Sequence, residues 1–236
     1  MKDYAVRAIV AGGKIRALAA VTTGLVEEAR HRHDTAPVVT AALGRLLTAG
    51  ALLGLTLKGE DRLTIRLQGN GPLGKIVVDA NSLGVVRGYV ENPQVYLSLT
   101  SEGKLPVGDA VGKEGFIYLT KDLGLKEPYT GSAPLVSGEI AEDLANYFAF
   151  SEQLPCAVSL GVLVDKEEWV LQAGGFIIQI FPGLDEETIE HLEKTLSNTP
   201  PISSILHQGI NLPRYGDRVF GKTRTRISMR LFFGEN

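Results

Sequence analysis

The clearest cluster of potential metal ligands in the sequence is the run HRHD. His31, His33 and Asp34 offer two imidazoles and a carboxylate, which are ligand types that zinc accepts. The rest of the sequence contains no convincing group of partner ligands that would complete a coordination shell. Imidazoles near the end of a helix are also favoured by the negative end of the helix dipole. We therefore predict a solvated helix end here and no metal site.

Cys156 is the single cysteine of the chain. One cysteine excludes an intramolecular disulfide and any metal site made of several thiolates. We expect Cys156 to be a small buried residue rather than a reactive thiol.

No constellation in the sequence indicates an enzyme. The nucleophile elbow, the HExxH metal motif, the phosphate loop and the dinucleotide fingerprint after a strand are all missing from the sequence. The acidic pairs Glu142/Asp143 and Glu186/Glu187 fall on the predicted solvent faces of helices, where such pairs serve solubility more often than acid–base catalysis. We predict neither catalytic nor cofactor-binding residues.

The run GNGPLG at 69–74 resembles a loop that cradles phosphate. A phosphate loop opens a helix, whereas the residues after Gly74 read as a strand, and Pro72 removes one of the amide donors. We predict a structural turn.

Composition limits the class of protein. Hydrophobic residues make up 44% and charged residues 22% of the chain, which is typical of a soluble globular protein. The net charge of −3 gives no global attraction to nucleic acid. The opening MKDYAVRAIVAGG lacks the apolar core of a signal peptide, so we expect a cytoplasmic protein.

The stretch Pro37–Leu57 predicts one long helix that is covered on nearly all sides. It carries a single charge, Arg45, in about six turns, where a surface helix would show a broad polar face. Its length also fits a membrane span, but a central arginine and the lack of flanking aromatic belts argue against one. Gly44, Gly50 and Gly54 each cost about 1 kcal/mol in a helix, which makes sense if other chain segments approach closely there.

Short β-prone runs surround this helix in the sequence. Tyr4–Val10 and Ile15–Ala20 predict a hairpin, and the alternation in Leu63–Gln68 opens a three-stranded meander with one buried face. Val158–Val164 and Trp169–Ile180 predict two further strands, the second of which is apolar enough to be covered on both faces. The predicted fold class is α+β, with a layered β/α/β core around the buried helix.

The character of the chain changes after Gly183. Asp185 caps a predicted helix with a narrow apolar stripe, and a second short helix follows the Pro200-Pro201 break and ends at Gly209. From residue 210 onwards six basic residues stand against two acidic ones without clear periodicity, so we predict an irregular basic tail with a strand near Ile227–Phe233. The predicted organisation is a core domain at 1–183, a helical linker at 184–209 and a divergent tail at 210–236.

Five stretches together resemble one family, the heat-shock protein thirty-three family of redox-regulated bacterial holdase chaperones. They are AALGRLLTAGALLG (41–54), LTIRLQGNGPLGKIVVDANSLGVVRGYVENPQV (63–95), KDLGLKEPYTG (121–131), SEQLPCAVSLGVLV (151–164) and AGGFIIQIFPG (173–183). The resemblance covers about residues 1–209.

The resemblance implies a chaperone that holds unfolding proteins without ATP. It also implies that the linker covers an apolar client-binding surface until the protein is activated. Members of the family end in a zinc domain with a C-x-C and a later C-x-x-C, whose oxidation releases zinc and unfolds the linker. None of these four cysteines occurs here, so we expect no zinc and no such redox switch.

The hypothesis that follows is a holdase with an apolar client surface at or under the linker. Expected partners are unfolded or partly folded polypeptides and a second copy of the chain, with no membrane. The candidate linker and client-surface residues are all apolar: Ile178, Ile180, Ile189, Leu192, Leu196, Ile202, Ile205 and Leu206. The plainer interpretation is that the linker helices are permanent core elements. A different class of function, weak nucleic-acid binding by the basic tail Arg214–Arg230, stays open as the alternative.

Overall fold

In the computed structural model the chain forms two antiparallel β-sheets with a helix between them. The structure describes residues 2–167, 169–220 and 226–231. The strands are β1 Tyr4–Val10, β2 Ile15–Val21, β3 Arg62–Gln68, β4 Lys75–Asn81, β5 Val86–Val90, β6 Phe116–Asp122, β7 Tyr129–Pro134, β8 Cys156–Val164, β9 Val170–Ile180 and β10 Arg226–Leu231. The helices are α1 Thr23–His33, α2 Pro37–Gly54, α3 Val107–Val111, α4 Ala141–Ser151, α5 Glu186–Ser197, α6 Ile202–His207 and α7 Leu212–Phe220.

Each sheet has five strands. Sheet I has the order β10-β1-β2-β9-β8, and sheet II has the order β5-β4-β3-β6-β7. The predicted hairpin is β1–β2 and the predicted meander is β3–β4–β5, so both predictions are confirmed. The α+β class is therefore correct.

The central helix α2 lies between the two sheets, as predicted. Every residue from Val38 to Gly54 except Arg45 is buried. A Cβ added to Gly44 would come 2.6 Å from Val26 and 2.9 Å from Val162, whereas one added to Gly50 would come 2.7 Å from Val78 of sheet II. The glycines let neighbouring layers approach from opposite sides. The helix ends at Gly54, three residues before the predicted Leu57.

Within the described residues, α2 is the helix with the length and hydropathy of a membrane span. In the structure, 89% of its 18-residue window is buried inside the protein. Its apolar character is thus explained by its place in the core.

The carboxylate of Asp143 fixes how α4 meets the core, and its position corrects a prediction. Asp143, predicted on a solvent face, is fully buried. Its carboxylate accepts the backbone N–H groups of Val136, Ser137, Gly138 and Ile140 at 2.8–3.3 Å, so it pairs the amides of the loop that leads into α4. The prediction was wrong because local sequence does not show where the preceding loop folds.

The GNGPLG run is a structural turn between β3 and β4, as predicted. Gly71 donates its N–H to the carbonyl of Val111 at 2.9 Å, and a Cβ on Gly69 would lie 2.2 Å from that same oxygen. The close backbone contact leaves no room for a phosphate cradle.

The HRHD run is solvated, as predicted. His31, His33 and Asp34 lie at the end of α1 and are exposed. The start of α1 is capped by a residue distant in sequence, because the Asp3 carboxylate accepts the N–H groups of Gly24 and Leu25 at 2.9 and 2.7 Å.

The prediction of an irregular tail was wrong for its first half. Residues Leu212–Phe220 form helix α7, and Arg226–Leu231 form a strand that pairs with β1. The predicted strand thus exists, with slightly earlier bounds. Of the basic residues that the nucleic-acid alternative would use, Lys222 and Arg224 lie outside the described part of the chain.

Candidate functional site

The outer face of sheet I, which points away from α2, is apolar. Neighbouring strand residues alternate between the two faces, so Leu18 and Ile177 belong to the core around α2, whereas Ala17 and Ile178 belong to a second cluster. The second cluster draws on three adjacent strands of the sheet: Val6 and Val10 of β1, Ile15, Ala17 and Val21 of β2, and Phe176 and Ile178 of β9.

Helices α5, α6 and α7 supply the other half of this second cluster. The buried residues are one from α5 and three each from α6 and α7: Leu192, Ile202, Ile205, Leu206, Leu212, Tyr215 and Val219. The buried surface lies between helices α5–α7 and sheet I, which α2 covers on its other face. We call it the cover interface.

The structure brings most of the candidate linker residues together at the cover interface. Ile178, Leu192, Ile202, Ile205 and Leu206 are buried there. Ile180 and Leu196 are partly buried and pack against the cluster, and Ile189 is half-buried. The predicted cap of α5 is also confirmed, since the Asp185 carboxylate accepts the Thr188 N–H at 2.9 Å.

A pair of glycines forms the floor on which α6 rests. Gly161 of β8 lies directly opposite Gly174 of β9. A Cβ on Gly161 would come 3.0 Å from Ile202 and from Ser203, and a Cβ on Gly174 would come 2.6 Å from Leu206. The missing side chains let the helix approach the sheet closely.

The residues that sequence reasoning missed are those of α7. Leu212, Tyr215 and Val219 have the same i, i+3, i+7 spacing as the stripe of α5, and this spacing was the available signal. Gly216 in the middle of the helix and Pro213 near its start hid it. Tyr4 of β1 holds the first turn, because its hydroxyl accepts the Leu212 N–H at 3.1 Å, and the Tyr215 ring lies 5.9 Å from that of Phe176.

The zinc that the family resemblance implies does not fit the described residues. Cys156, on β8, is partly buried, and desolvation together with the charge of Glu152 raises its pKa to about 12. Thiolate ligands have lowered pKa values, so this shift is in the wrong direction. No group of three or more His, Cys, Asp or Glu side chains that could hold a metal occurs among residues 2–167 and 169–220.

An apolar sheet face under a separate run of helices defines a class of protein. A soluble protein rarely exposes a continuous apolar patch of more than a few hundred Å², and such patches mark places where other polypeptides bind. An apolar sheet face packed under helices α5, α6 and α7 is the arrangement expected of a chaperone.

Comparisons with known proteins identify the family. The family model described as Hsp33 protein matches residues 3–232, and the chain belongs to this family. The match continues past residue 209, where the resemblance based on motifs ended. The chain is 58% identical over 209 residues to the 33 kDa chaperonin of Desulforamulus reducens, covering 89% of this chain and 71% of that protein. It is 50% identical over 227 residues to the 33 kDa chaperonin of Bacillus mycoides, covering 96% and 78%.

A solved structure agrees with these relatives. The crystal structure of the 33 kDa chaperonin from Thermotoga maritima matches with a TM-score of 0.93 at 39% identity, over 100% of this chain and 82% of that one. The function is therefore that of a chaperone, and the Hsp33 family is not an enzyme family.

Proposed function

We propose that the chain is an ATP-independent holdase of the cytoplasm whose client-binding surface is the outer face of sheet I. Clients are unfolding polypeptides that offer apolar segments. The cover interface carries this proposal, since its buried side chains come from a segment that can leave without opening the core around α2.

The cover is suited to leaving because its first helix, α5, is weakly held. Each fully buried Leu or Ile contributes about 1.5–3 kcal/mol, while ordering the backbone costs about 1–2 kcal/mol per residue. Between Glu186 and Ser197, Leu192 is the buried residue of α5, and most of the other residues of this helix face solvent. A segment with so few buried contacts belongs to the low end of local stability and opens on mild heating.

Leu192→Glu tests the proposal. Leu192 is 4% exposed in the docked cover, so a carboxylate there must be desolvated without a partner or the helix must leave. We expect the variant to suppress aggregation of a thermally unfolding client at 25 °C, a temperature at which the parent acts weakly. The parent should gain activity on heating to about 45 °C, without ATP.

His191→Glu is the matched control. His191 is the exposed neighbour of Leu192 on the same helix, so the substitution adds the same charge without entering the interface. If His191→Glu activates as strongly as Leu192→Glu, or if Leu192→Glu equals the parent at both temperatures, the proposal is wrong.

We propose further that the chain holds clients without zinc, because Cys156 is its single cysteine. Elemental analysis of the purified protein tests this, and one tightly held zinc per chain would refute it.

A further inference from the structure

A cavity of about 490 Å³ opens between the two sheets beyond the end of α2. Its lining comes from three separate segments: Ala5 and Arg7 of β1, Leu55, Leu57, Lys58 and Gly59 after α2, and Ser82 and Leu83 between β4 and β5. Ala5 belongs to the core around α2, whereas Val6, its neighbour in β1, belongs to the cover interface. The cavity is therefore on the opposite face of sheet I from the proposed client surface.

The walls of the cavity combine apolar surface with positive charge. Ala5 and Leu55 are buried, with exposed fractions of 0% and 8%, and none of the lining residues is acidic. Arg7 and Lys58 are both exposed, and neither side chain forms an ion pair within the described part of the chain. The Asp61 carboxylate in the turn after α2 accepts the backbone N–H of Lys58 at 3.1 Å.

The surroundings of Arg7 on sheet I add a further cation. Burial first, and next the positive charge of Arg7, lower the pKa of the Arg16 guanidinium on β2. Arg16 is oriented away, since it donates to the Gln179 side chain at 2.8 Å and lies over the Phe181 ring. A negative charge beside Arg7 would thus be attracted mainly by Arg7 and Lys58, because Arg16 is bonded to Gln179 and also feels the negative charge of Glu152.

The wall formed by the two turns is held in place. The Ser82 hydroxyl donates to the carbonyl of Gly59, which ties the β4–β5 turn to the segment that follows α2. Ser82 is 7% exposed, so its side chain is held in place at the edge of the cavity.

We propose that this cavity binds a small organic anion, namely a carboxylate on a short apolar chain such as a medium-chain fatty acid. The carboxylate lies between Arg7 and Lys58, and the apolar chain lies along Leu57 and Leu83, the lining leucines that are accessible to solvent. The cavity volume is in the usual range of small-molecule sites, which is about 300–1,000 Å³. Arg7 belongs to sheet I and Leu83 follows a strand of sheet II, so the ligand contacts both layers. Because it binds the folded state alone, it raises the melting temperature.

Titration calorimetry with octanoate tests the proposal, together with the melting temperature of the full chain. We expect saturable binding and a rise in melting temperature with octanoate. Octanol, which has the chain without the charge, and inorganic phosphate, which has charge without the chain, should each bind at least tenfold more weakly. The proposal is overturned if octanol binds as well as octanoate, or if octanoate does not bind.

Variants locate the binding. Arg7→Gln and Lys58→Gln should each weaken octanoate binding about tenfold, since a charge-assisted contact is lost. Arg62→Gln is the matched control, because Arg62 is an exposed arginine of β3 that does not line the cavity. This variant should bind octanoate with the affinity of the parent. Unchanged affinity in both cavity variants, with the melting temperature of the free protein preserved, places octanoate elsewhere and contradicts the proposal. Client aggregation is measured separately, so failure here leaves the holdase proposal standing.

Discussion

Gly161 and Gly174 stand directly opposite each other on β8 and β9, and together they form the floor on which α6 rests. Both strands present this floor on the outer side of sheet I. Docking of the cover is thus specified by the strands as well as by the apolar stripes of the helices.

Gly161→Ala should loosen the cover without unfolding the core. The new Cβ would lie 3.0 Å from Ile202 and from the backbone nitrogen of Ser203, both in α6, so the helix must shift outward. Overpacking of this kind costs about 1–3 kcal/mol. We expect faster hydrogen exchange over residues 202–207 and stronger suppression of client aggregation at 25 °C.

Gly175→Ala is the control for this substitution. Its Cβ would lie 2.7 Å from Leu160 and 3.1 Å from Thr48 of α2, so it should lower the stability of the whole protein. If Gly161→Ala also speeds hydrogen exchange throughout α2, the floor belongs to the core and the prediction is wrong.

Gly216→Ala should stabilise the cover, which is the opposite of the effect expected for Gly161→Ala. Outside its own helix backbone, no described atom lies within 4 Å of a Cβ built at this position, and alanine is favoured over glycine in a helix by about 1 kcal/mol. We expect slower hydrogen exchange in α7 and weaker client binding on mild heating. An increase in client binding would mean that α7 has no part in the cover.

Leu47→Ala should destabilise the fold by about 2–5 kcal/mol in urea unfolding, because truncating a buried leucine leaves a cavity. Leu47 is 1% exposed on α2, between the sheets. Leu99→Ala is the comparison, since Leu99 is 59% exposed and its truncation should change stability by less than about 0.5 kcal/mol. If the two variants lose the same free energy of unfolding, α2 is not a core helix.

Peroxide should leave the holdase activity unchanged. Peroxide reacts with thiolate, and the pKa of Cys156 is raised to about 12, so the thiol stays protonated at neutral pH. Its reaction with a thiol reagent should be slow at pH 7 and should rise as the pH increases towards 12. Client aggregation assays of the parent and of Cys156→Ser, with and without peroxide, check this. Peroxide activation that Cys156→Ser abolishes would refute it.

The elements that the sequence predicted are those with a local signature. The helix α2 followed from its lack of polar residues, and the stripe containing Leu192 followed from its spacing. Asp143 was assigned to solvent because its four partners are brought to it by a loop fold that no local pattern records. The Gly161–Gly174 floor could not be predicted either, since the pairing joins two strands whose register is set by the whole sheet.

Sheet I separates two clusters, and adjacent residues of β9 alternate between them: Ile177 packs on α2, and Ile178 packs under the cover. In the sequence both are simply isoleucines in one apolar strand. Their evolutionary constraints are nevertheless different in kind. Substitution at Ile177 acts on the stability of the whole fold, whereas substitution at Ile178 would, on the holdase proposal, act on the temperature at which the cover opens. A lineage could therefore adapt its stress threshold through every second position of a strand and leave the fold untouched.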